Sequence, residues 1–261
     1  FDINWVAERH MPPTYQWRRE DYNRTAKLDE FLPWFETWNF DWLDVPGLIR
    51  NCPHAYEYPL VDRDPVSQWT FGRVTLMGDA AHTAHFAIGS GTKLALEDAI
   101  ELTNQFKQHG ATRDSIPAVL KAYEELRRVD VARIQNAARN AMEWFEVVGS
   151  RYADTLEPEQ FMYSLLTRSQ RISHENLRLR DRAWLEGYER WFAERSGVPA
   201  GNDRVTPPML TPFRIRGLSL ANRIIVSPMA MYSAEEGVPN DFHLVHFGSR
   251  ALGGAGLLFT E

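Results

Sequence analysis

The sequence predicts an α/β protein with some α+β character, and three observations carry this prediction. Residues 73–102 combine a short apolar run, a glycine-rich turn and an amphipathic pattern, which predict a strand, a loop and a helix. Residues 114–145 and 160–195 repeat apolar side chains at helical spacing. Beyond residue 210, two short apolar runs flank a helical pattern, an order typical of a parallel β-α-β unit.

Length, charge and cysteine content exclude several classes of protein. The 261 residues allow one large domain or two smaller ones, and a net charge of −6 disfavours nucleic acid or an anionic membrane as partner. The single cysteine, Cys52, excludes an internal disulfide and indicates a reducing, cytoplasmic compartment. No apolar run approaches the ~20 residues that span a bilayer, and no signal peptide is recognised. Because the chain begins with Phe1 and not Met, we expect residues upstream of it.

The strand, turn and helix around residue 80 are where chemistry is expected. Arg73–Met77 predicts a buried strand, and Gly78 and Asp79 end it. Gly89–Gly91 form a turn of small residues, after which Thr92 opens an amphipathic helix. One face of this helix is expected to carry Leu96, Ile100 and Thr103. The acidic residues Glu97, Asp98 and Glu101 are expected to lie mostly on other faces.

This arrangement suits a polar cofactor with a hydroxylated chain and an electron-poor ring. The Asp79 carboxylate can accept hydrogen bonds from sugar-type hydroxyls. The glycines let the backbone approach a planar ring, and the N–H groups of the helix start favour negative charge on it. An ordinary strand, loop and helix, with Asp79 as a turn or cap residue, is the alternative.

The segment GRVTLMGDAAHTAHFAIGSGTKLALEDA resembles the second FAD-binding motif of the aromatic-ring hydroxylases, the single-component flavoprotein monooxygenases. Many members of that family have proline where His85 and Phe86 stand and asparagine at Lys93. The resemblance implies that Asp79 holds the ribityl hydroxyls of FAD and that Gly89–Thr92 lie against the pyrimidine end of its ring. The implied cofactor-binding residues are Gly78, Asp79, Gly89, Ser90, Gly91 and Thr92. The sequence HTAHFAIGSGTK resembles a narrower branch of the family, the bifunctional salicylyl-CoA 5-hydroxylases and 2-aminobenzoyl-CoA monooxygenase/reductases.

The first fifty residues are rich in aromatic side chains, which we expect to form core; a flat pocket for an aromatic substrate is the alternative. Asp2–Ala7 predicts a strand and Tyr15–Phe35 two short helices. This region resembles the substrate-binding sheet of the salicylate-type hydroxylases. His54–Val61 alternates, and Arg63, which lies between two aspartates, is expected to be a structural ion-pair residue without a catalytic role.

Two helical regions follow the motif. Asp114–Phe145 predicts a long helix with Asp114–Ser115 as N-cap and Pro117 in the first turn. Gln160–Arg195 predicts further helix with many arginines. Its interleaved acidic residues favour a salt-bridged surface over a site for a CoA phosphate or nucleic acid.

The last fifty residues differ in composition. Arg223–Val226 and Gly256–Thr260 predict short buried strands, with a helix over His243–Leu252 capped by Asn240–Asp241. The sequence LTPFRIRGLSLANRIIVSPMAMYS resembles the N-terminal part of an Old Yellow Enzyme-type barrel. That resemblance implies that FMN lies against Ser227, Pro228, Met229 and Ala230 at the end of the first strand. It also implies that Tyr232 faces the substrate as the catalytic residue. With no third ligand nearby, His243 and His246 are expected in the core or on the helix surface and not on a metal.

Together these patterns predict the C-terminal part of an FAD-dependent hydroxylase domain over 1–196, a linker over 197–208, and the first β-α-β unit of a truncated barrel over 209–261. No G-x-G-x-x-G spacing and no Asp-Gly motif between the two FAD motifs is present, so we expect an internal piece of a longer two-flavin enzyme, poorly soluble alone. That enzyme would use FAD, FMN and NAD(P)H on an aromatic substrate, presented as a free acid or a CoA thioester. Self-association is left open. The alternatives are a simple salicylate-type hydroxylase and a non-catalytic helical interaction module over 114–195.

Overall fold

The computed structural model describes residues 4–9, 11–12, 14–16, 18, 23–60, 63–199 and 205–260. The chain forms two compact units, which we call unit 1 (Phe1–Arg151) and unit 2 (Tyr152–Glu261). The predicted linker at 197–208 lies inside unit 2, and residues 200–204 of it fall outside the described part of the chain. The domain boundary at 196 therefore stays a prediction.

The first part of unit 1 is a loose assembly of short elements. Strand β1 (Arg24–Ala26) pairs antiparallel with β4 (Ala55–Glu57). Between them lie four further elements: α1 (Leu28–Phe31), β2 (Asn39–Phe40), β3 (Leu43–Asp44) and α2 (Val45–Arg50). The Asp44 carboxylate caps α2 by accepting the Gly47 N–H at 2.8 Å.

The structure corrects the expectations for this aromatic-rich region. Residues 4–7 form no strand, and Asp2 and Ile3 of that prediction lie outside the described residues. Of the two helices predicted over Tyr15–Phe35, the described residues contain α1 and a 3-10 turn after it. The expectation of core is wrong for Trp34, Trp38, Phe40 and Trp42, and Trp42 is 80% exposed. Isolated two-stranded pairings offer no second layer against which these rings could be buried.

The second part of unit 1 contains the packed core. Strands β5 (Thr70–Phe71) and β6 (Val74–Thr75) form an antiparallel hairpin, followed by α3 (Gly91–His109) and α4 (Ile116–Val147). The core is made by side chains from all these segments: Trp69, Ala81, Leu94, Tyr123, Val131 and Ile134. The predicted buried strand Arg73–Met77 is wrong in its burial, since Val74 is 63% exposed. A two-stranded hairpin leaves one face of that strand in solvent.

The predicted helix Asp114–Phe145 is confirmed, and both ends of α4 lie two residues from the predicted ends. Ser115 is the N-cap and Pro117 lies in the first turn, where its missing N–H costs no hydrogen bond. Glu124 on the buried face accepts the N–H groups of Trp69 at 3.1 Å and Thr70 at 2.8 Å. This carboxylate therefore ties the hairpin to the helix.

Helix α3 turns a different face to the core from the one predicted. Leu96 and Ile100 are 62% and 60% exposed, and Thr103 is exposed as well. The buried side chains of this helix are Leu94, Asp98 and Gln105. Periodicity placed Asp98 mostly away from the core because it is charged, but it is fully buried among partners from other elements.

Unit 2 begins with helices α5 (Pro158–Thr167), α6 (His174–Arg180) and α7 (Arg182–Arg195). The helical prediction for 160–195 is confirmed, with two interruptions. The chain leaves the helix near Gln170, whose φ is +56°, and Asp181 caps α7 by accepting the Trp184 N–H at 3.0 Å. The expected salt-bridged surface is confirmed by Arg178–Glu175 at 3.0 Å and Arg182–Glu186 at 2.6 Å.

The rest of unit 2 contains a hairpin and a β-α-β unit. Strands β7 (Phe213–Ile215) and β8 (Leu218–Leu220) pair antiparallel, whereas β9 (Ile225–Val226) and β10 (Leu257–Leu258) pair in parallel on either side of α8 (Asp241–Leu252). The predicted parallel β-α-β unit is thus confirmed, with Asn240 as N-cap of the helix. Both strands are shorter than predicted and only partly buried. None of the described helices is long and apolar enough to cross a membrane.

Candidate functional site

The segment after β6 forms a tight turn whose first residue has a positive φ, which glycine adopts without strain. Gly78 is buried with φ +59°, a conformation that disfavours other residues, and an added Cβ would lie 3.4 Å from the Cβ of Ala95. The carbonyl oxygen of Gly78 accepts the N–H groups of Ala81 at 2.9 Å and His82 at 2.8 Å. Asp79 is therefore carried at the tip of a closed turn that packs against α3.

A buried ionic network lies beneath this turn. Asp98 of α3 accepts the Gly78 N–H at 3.0 Å and contacts His82 Nε2 at 2.6 Å through Oδ2, and its Oδ1 accepts Arg127 Nε at 2.9 Å. Arg127, from α4, also donates to Glu97 Oε2 at 3.1 Å. The network thus joins the turn, α3 and α4 through one carboxylate.

The charge state of this network follows from its contacts. Burial acts to raise the pKa of Asp98, but hydrogen bonds from His82, Arg127 and the Gly78 N–H outweigh it, and the pKa lies below its ordinary value. Burial acts to lower the pKa of Arg127, and the hydrogen bond to Asp98 reverses the direction. Burial and the nearby Asp98 charge raise the pKa of Tyr123. The site therefore holds a paired carboxylate and guanidinium beside a neutral phenol.

Asp79 itself is exposed, and its carboxylate takes no hydrogen bond from the described residues. The backbone oxygen of Asp79 accepts Arg63 Nη2 at 3.2 Å. Arg63 was expected in an ion pair with its neighbouring aspartates; of these, Asp62 lies outside the described residues and Asp64 lies 3.5 Å from Arg139. Arg63 therefore contacts the main chain of the turn and leaves the Asp79 carboxylate open to a ligand.

The glycine-rich turn lies immediately before α3. Gly89 has φ +63° and ends a 3-10 turn over Phe86–Ile88, which His85 caps by accepting the Ala87 N–H at 3.2 Å. Added Cβ atoms at Gly89 or Gly91 would meet nothing within 4 Å. The first helical hydrogen bond runs from the Leu94 N–H to Ser90, so the preceding N–H groups point out of the helix end. This surface is open, donates hydrogen bonds and carries a partial positive charge.

The structure therefore brings both predicted halves of the site to the start of α3. The Gly78 turn packs on its second turn through Ala95 and Asp98, and Gly89–Thr92 form its beginning. An open groove of about 690 Å³ between Trp69, Ala81 and α4 does not include Asp79 or Gly89–Thr92 in its lining. The predicted site is an exposed surface and not part of that groove.

The predicted residues of the last segment follow β9. Ser227–Ala230 are exposed and without regular structure, and Tyr232 is 94% exposed with φ +55°. His243 and His246 are buried on α8, in agreement with the prediction of core histidines, and His243 Nδ1 lies 3.1 Å from Asn240 Oδ1. In the described part of the chain no group of three metal-ligating side chains is close enough to hold an ion.

Sequence reasoning missed the residues that hold the turn, namely His82, Asp98 and Arg127. A signal for them was present. Arg127 falls four residues after Tyr123 on the apolar stripe of α4, and Asp98 four residues after Leu94 on α3. These positions mark Asp98 and Arg127 as candidates for burial, but which partners they meet depends on how α3 and α4 pack.

The segment that contains this site resembles known proteins. Residues 60–138 match the family described as FAD binding domain. Over 156 residues the chain is 42% identical to salicyloyl-CoA 5-hydroxylase from Streptomyces sp, covering 59% of this chain and 28% of that protein. Over 140 residues it is 39% identical to phenazine 1,6-dicarboxylic acid hydroxylase PhzS from Lysobacter antibioticus, covering 53% and 33%. It is 40% identical over 98 residues to 3-hydroxybenzoate 6-hydroxylase 1 from Aquipseudomonas alcaligenes, covering 38% and 24%.

Among solved structures, the crystal structure of FqzB is similar with a TM-score of 0.39 and 22% identity, covering 71% of this chain and 42% of that one. The chain spans about a third or less of the length of the three curated relatives described above. The matched FAD family does not extend to residues 209–261, for which the FMN barrel stays a prediction. Residues 60–138 therefore match an FAD binding domain, and the chain is similar over part of its length to hydroxylases named for aromatic substrates.

Proposed function

We propose that the protein containing this chain hydroxylates an aromatic substrate with O₂ and NAD(P)H by means of FAD. The observation that carries the proposal is the Asp79 carboxylate, which is exposed, takes no hydrogen bond from the described residues and lies on a turn held by a buried ionic network. The matched FAD family and the hydroxylase relatives support it.

The residues around Asp79 fit a flavin. The Asp79 carboxylate would accept hydrogen bonds from the ribityl hydroxyls, and the bare Cα atoms of Gly89 and Gly91 would let the backbone approach the ring. The outward N–H groups at the start of α3 would favour negative charge on that ring. When bound, FAD supplies hydride acceptance and O₂ activation, and the protein supplies binding, orientation and exclusion of water.

For the substrate we propose an aryl-CoA thioester of the salicylyl or aminobenzoyl type. The similarity to a salicyloyl-CoA 5-hydroxylase supports this class, whereas the relatives named for free acids support the alternative of a simple aromatic-acid hydroxylase. The arginines of α6 and α7 offer no added support for a CoA phosphate, because Arg178, Arg182 and Arg190 are paired with glutamates. Turnover of salicylate against salicylyl-CoA by the natural protein separates the two, and a preference for the free acid would contradict the thioester.

Substitution of Asp79 tests the flavin site directly. We expect Asp79→Asn in the natural protein, freed of its flavin, to lower the affinity for FAD about tenfold, since hydrogen bonds to a charged acceptor contribute about 1.5–3 kcal/mol. Quenching of flavin fluorescence on titration measures the affinity. Asp64→Asn is the matched control, because Asp64 is also an exposed carboxylate but lies before the motif in sequence. Equal affinities for the wild type and Asp79→Asn would contradict the proposal.

For residues 209–261 we keep a second proposal, that β9, α8 and β10 begin a barrel that binds FMN along Ser227–Ala230, with Tyr232 facing the substrate. The parallel pairing of β9 and β10 across α8 is the observation that favours it. Flavin released from the natural protein would then separate into FAD and FMN on chromatography. A single flavin species would contradict the FMN proposal and leave the FAD proposal standing.

A further inference from the structure

Both ends of the segment that carries Asp79 are held by the same buried carboxylate. Gly78 immediately precedes Asp79, and its N–H donates to Asp98 Oδ2 at 3.0 Å. His82 follows Asp79 by three residues, and its Nε2 contacts the same oxygen at 2.6 Å. Since the turn is also closed by the His82 N–H on the Gly78 carbonyl at 2.8 Å, the backbone at Asp79 has little freedom to move while Asp98 is in place.

The other oxygen of Asp98 is engaged from the opposite side. Arg127 Nε donates to Oδ1 at 2.9 Å, and the Arg127 guanidinium is itself held by Glu97 at 3.1 Å and by the carbonyl of Leu94 at 3.4 Å. The carboxylate is fully buried, so no water competes for these contacts. Arg127 of α4 therefore fixes the plane of the Asp98 carboxylate, and Oδ2 holds the turn.

We infer that Asp98 is a positioning residue of the flavin site, which acts through Gly78 and His82 to set the Asp79 carboxylate where it meets the ribityl chain. This inference rests on the proposed function, because it assigns Asp98 a part in binding the same flavin. Asp98 is buried and does not touch the ligand, so its effect on binding is carried by the placement of Asp79.

Replacing Asp98 with asparagine tests the loss of hydrogen bonds to the turn without a change in side-chain volume. Asparagine has the size of aspartate but one acceptor oxygen and an NH₂ group in place of two acceptor oxygens. Three donors meet Asp98, from Gly78, His82 and Arg127, so the NH₂ group must face at least one of them. Either the turn loses its acceptor, or Arg127, which fixes the plane of the side chain, faces an NH₂ group; in both cases the turn is held less firmly and no cavity is made.

The test compares two flavins that differ in the ribityl chain. Riboflavin carries the chain, and lumiflavin has the same ring without it. In the natural protein freed of its flavin, we expect Asp98→Asn to weaken binding of riboflavin about tenfold while changing that of lumiflavin less than about twofold. In an Asp79→Ala background, Asp98→Asn is expected to cause no further loss of riboflavin affinity, because the group it positions is gone.

Several outcomes would overturn the inference. An equal loss for both flavins, or a loss that persists with Asp79→Ala, would mean that Asp98 acts on the fold in general. Unchanged riboflavin affinity in a folded Asp98→Asn variant would overturn the inference alone, whereas failure of the natural protein, freed of its flavin, to bind either flavin would overturn the proposed function with it. The matched control is Asp130→Asn, which should change neither affinity, because Asp130 is an exposed carboxylate of α4 that pairs with neighbouring Arg133 at 3.2 Å.

Folding of the variants is checked by circular dichroism before titration. If Asp98→Asn does not fold, His82→Leu replaces it in the same cycle, because leucine cannot donate a hydrogen bond to Asp98 Oδ2. The expected pattern is the same, a selective loss for riboflavin that vanishes with Asp79→Ala. Unchanged riboflavin affinity in a folded His82→Leu variant would overturn the inference.

Discussion

Replacing Asp98 with asparagine is expected to lower the free energy of unfolding of unit 1 by about 3–5 kcal/mol, the loss typical when one partner of a buried ion pair is removed. Asp98 is fully buried and Arg127 nearly so. With asparagine, Arg127 keeps only Glu97 as a charged partner at 3.1 Å. The guanidinium then stays buried with its charge incompletely compensated.

Urea unfolding, with hydrogen exchange of peptides from α3 to assign the loss to unit 1, measures this effect. Asp130→Asn on α4 serves as the control, since the exposed Asp130–Arg133 pair contributes at most about 0.5–1 kcal/mol. A loss for Asp98→Asn no larger than that of the control would show that the buried pair adds no stability.

The same carboxylate gives unit 1 an acid-sensitive component. The pKa of Asp98 is lowered in the folded protein, since the hydrogen bonds from His82 and Arg127 outweigh burial. A lowered pKa means that the stabilisation is present above the ordinary value near 3.8 and is lost as pH falls through the lower folded value. The difference in stability between the wild type and Asp98→Asn should therefore be full at pH 7 and shrink below about pH 4. A difference that stays constant down to pH 2 would contradict this assignment.

Replacing Glu189 with glutamine is expected to destabilise unit 2 by about 1.5–3 kcal/mol, because hydrogen bonds to a charged group contribute about that much and the partners of Glu189 stay partly exposed. The Glu189 side chain is buried on α7, and its Oε1 lies 2.6 Å from Arg178 Nη2 and 2.7 Å from His174 Nε2. Both partners belong to α6, and the hydroxyl of Tyr163 from α5 lies 3.1 Å from the other nitrogen of His174. One carboxylate therefore joins the three helices on which the aromatic core of unit 2 depends.

Glu186→Gln is the matched control, because Glu186 lies one turn earlier on α7 and pairs with Arg182 and Arg190 on the surface. Its loss of stability should be far smaller than that of Glu189→Gln. Hydrogen exchange of peptides from α6 and α7 assigns the effect to unit 2. Equal stability of the two variants would show that the buried pairing of Glu189 is not needed for the helices to pack.

Several elements could be predicted from the sequence because a local pattern specifies them. The apolar stripe of α4 repeats at helical spacing, and its cap and Pro117 mark the start, so its bounds were predicted to within two residues. The order of two apolar runs around a helix predicted the parallel pairing of β9 and β10. The aromatic residues of the first fifty were misplaced because composition alone does not say whether a second layer exists to bury them.

The glycines and Asp79 of the motif are readable in the sequence because a tight turn and an open helix start impose local demands on residue type. Which carboxylate is buried was decided only by the tertiary structure. Asp98 is 16 residues from His82 and 29 from Arg127 in the chain, so no local pattern joins them. A charge can be buried only where partners from other elements meet it, and those partners are brought together by folding.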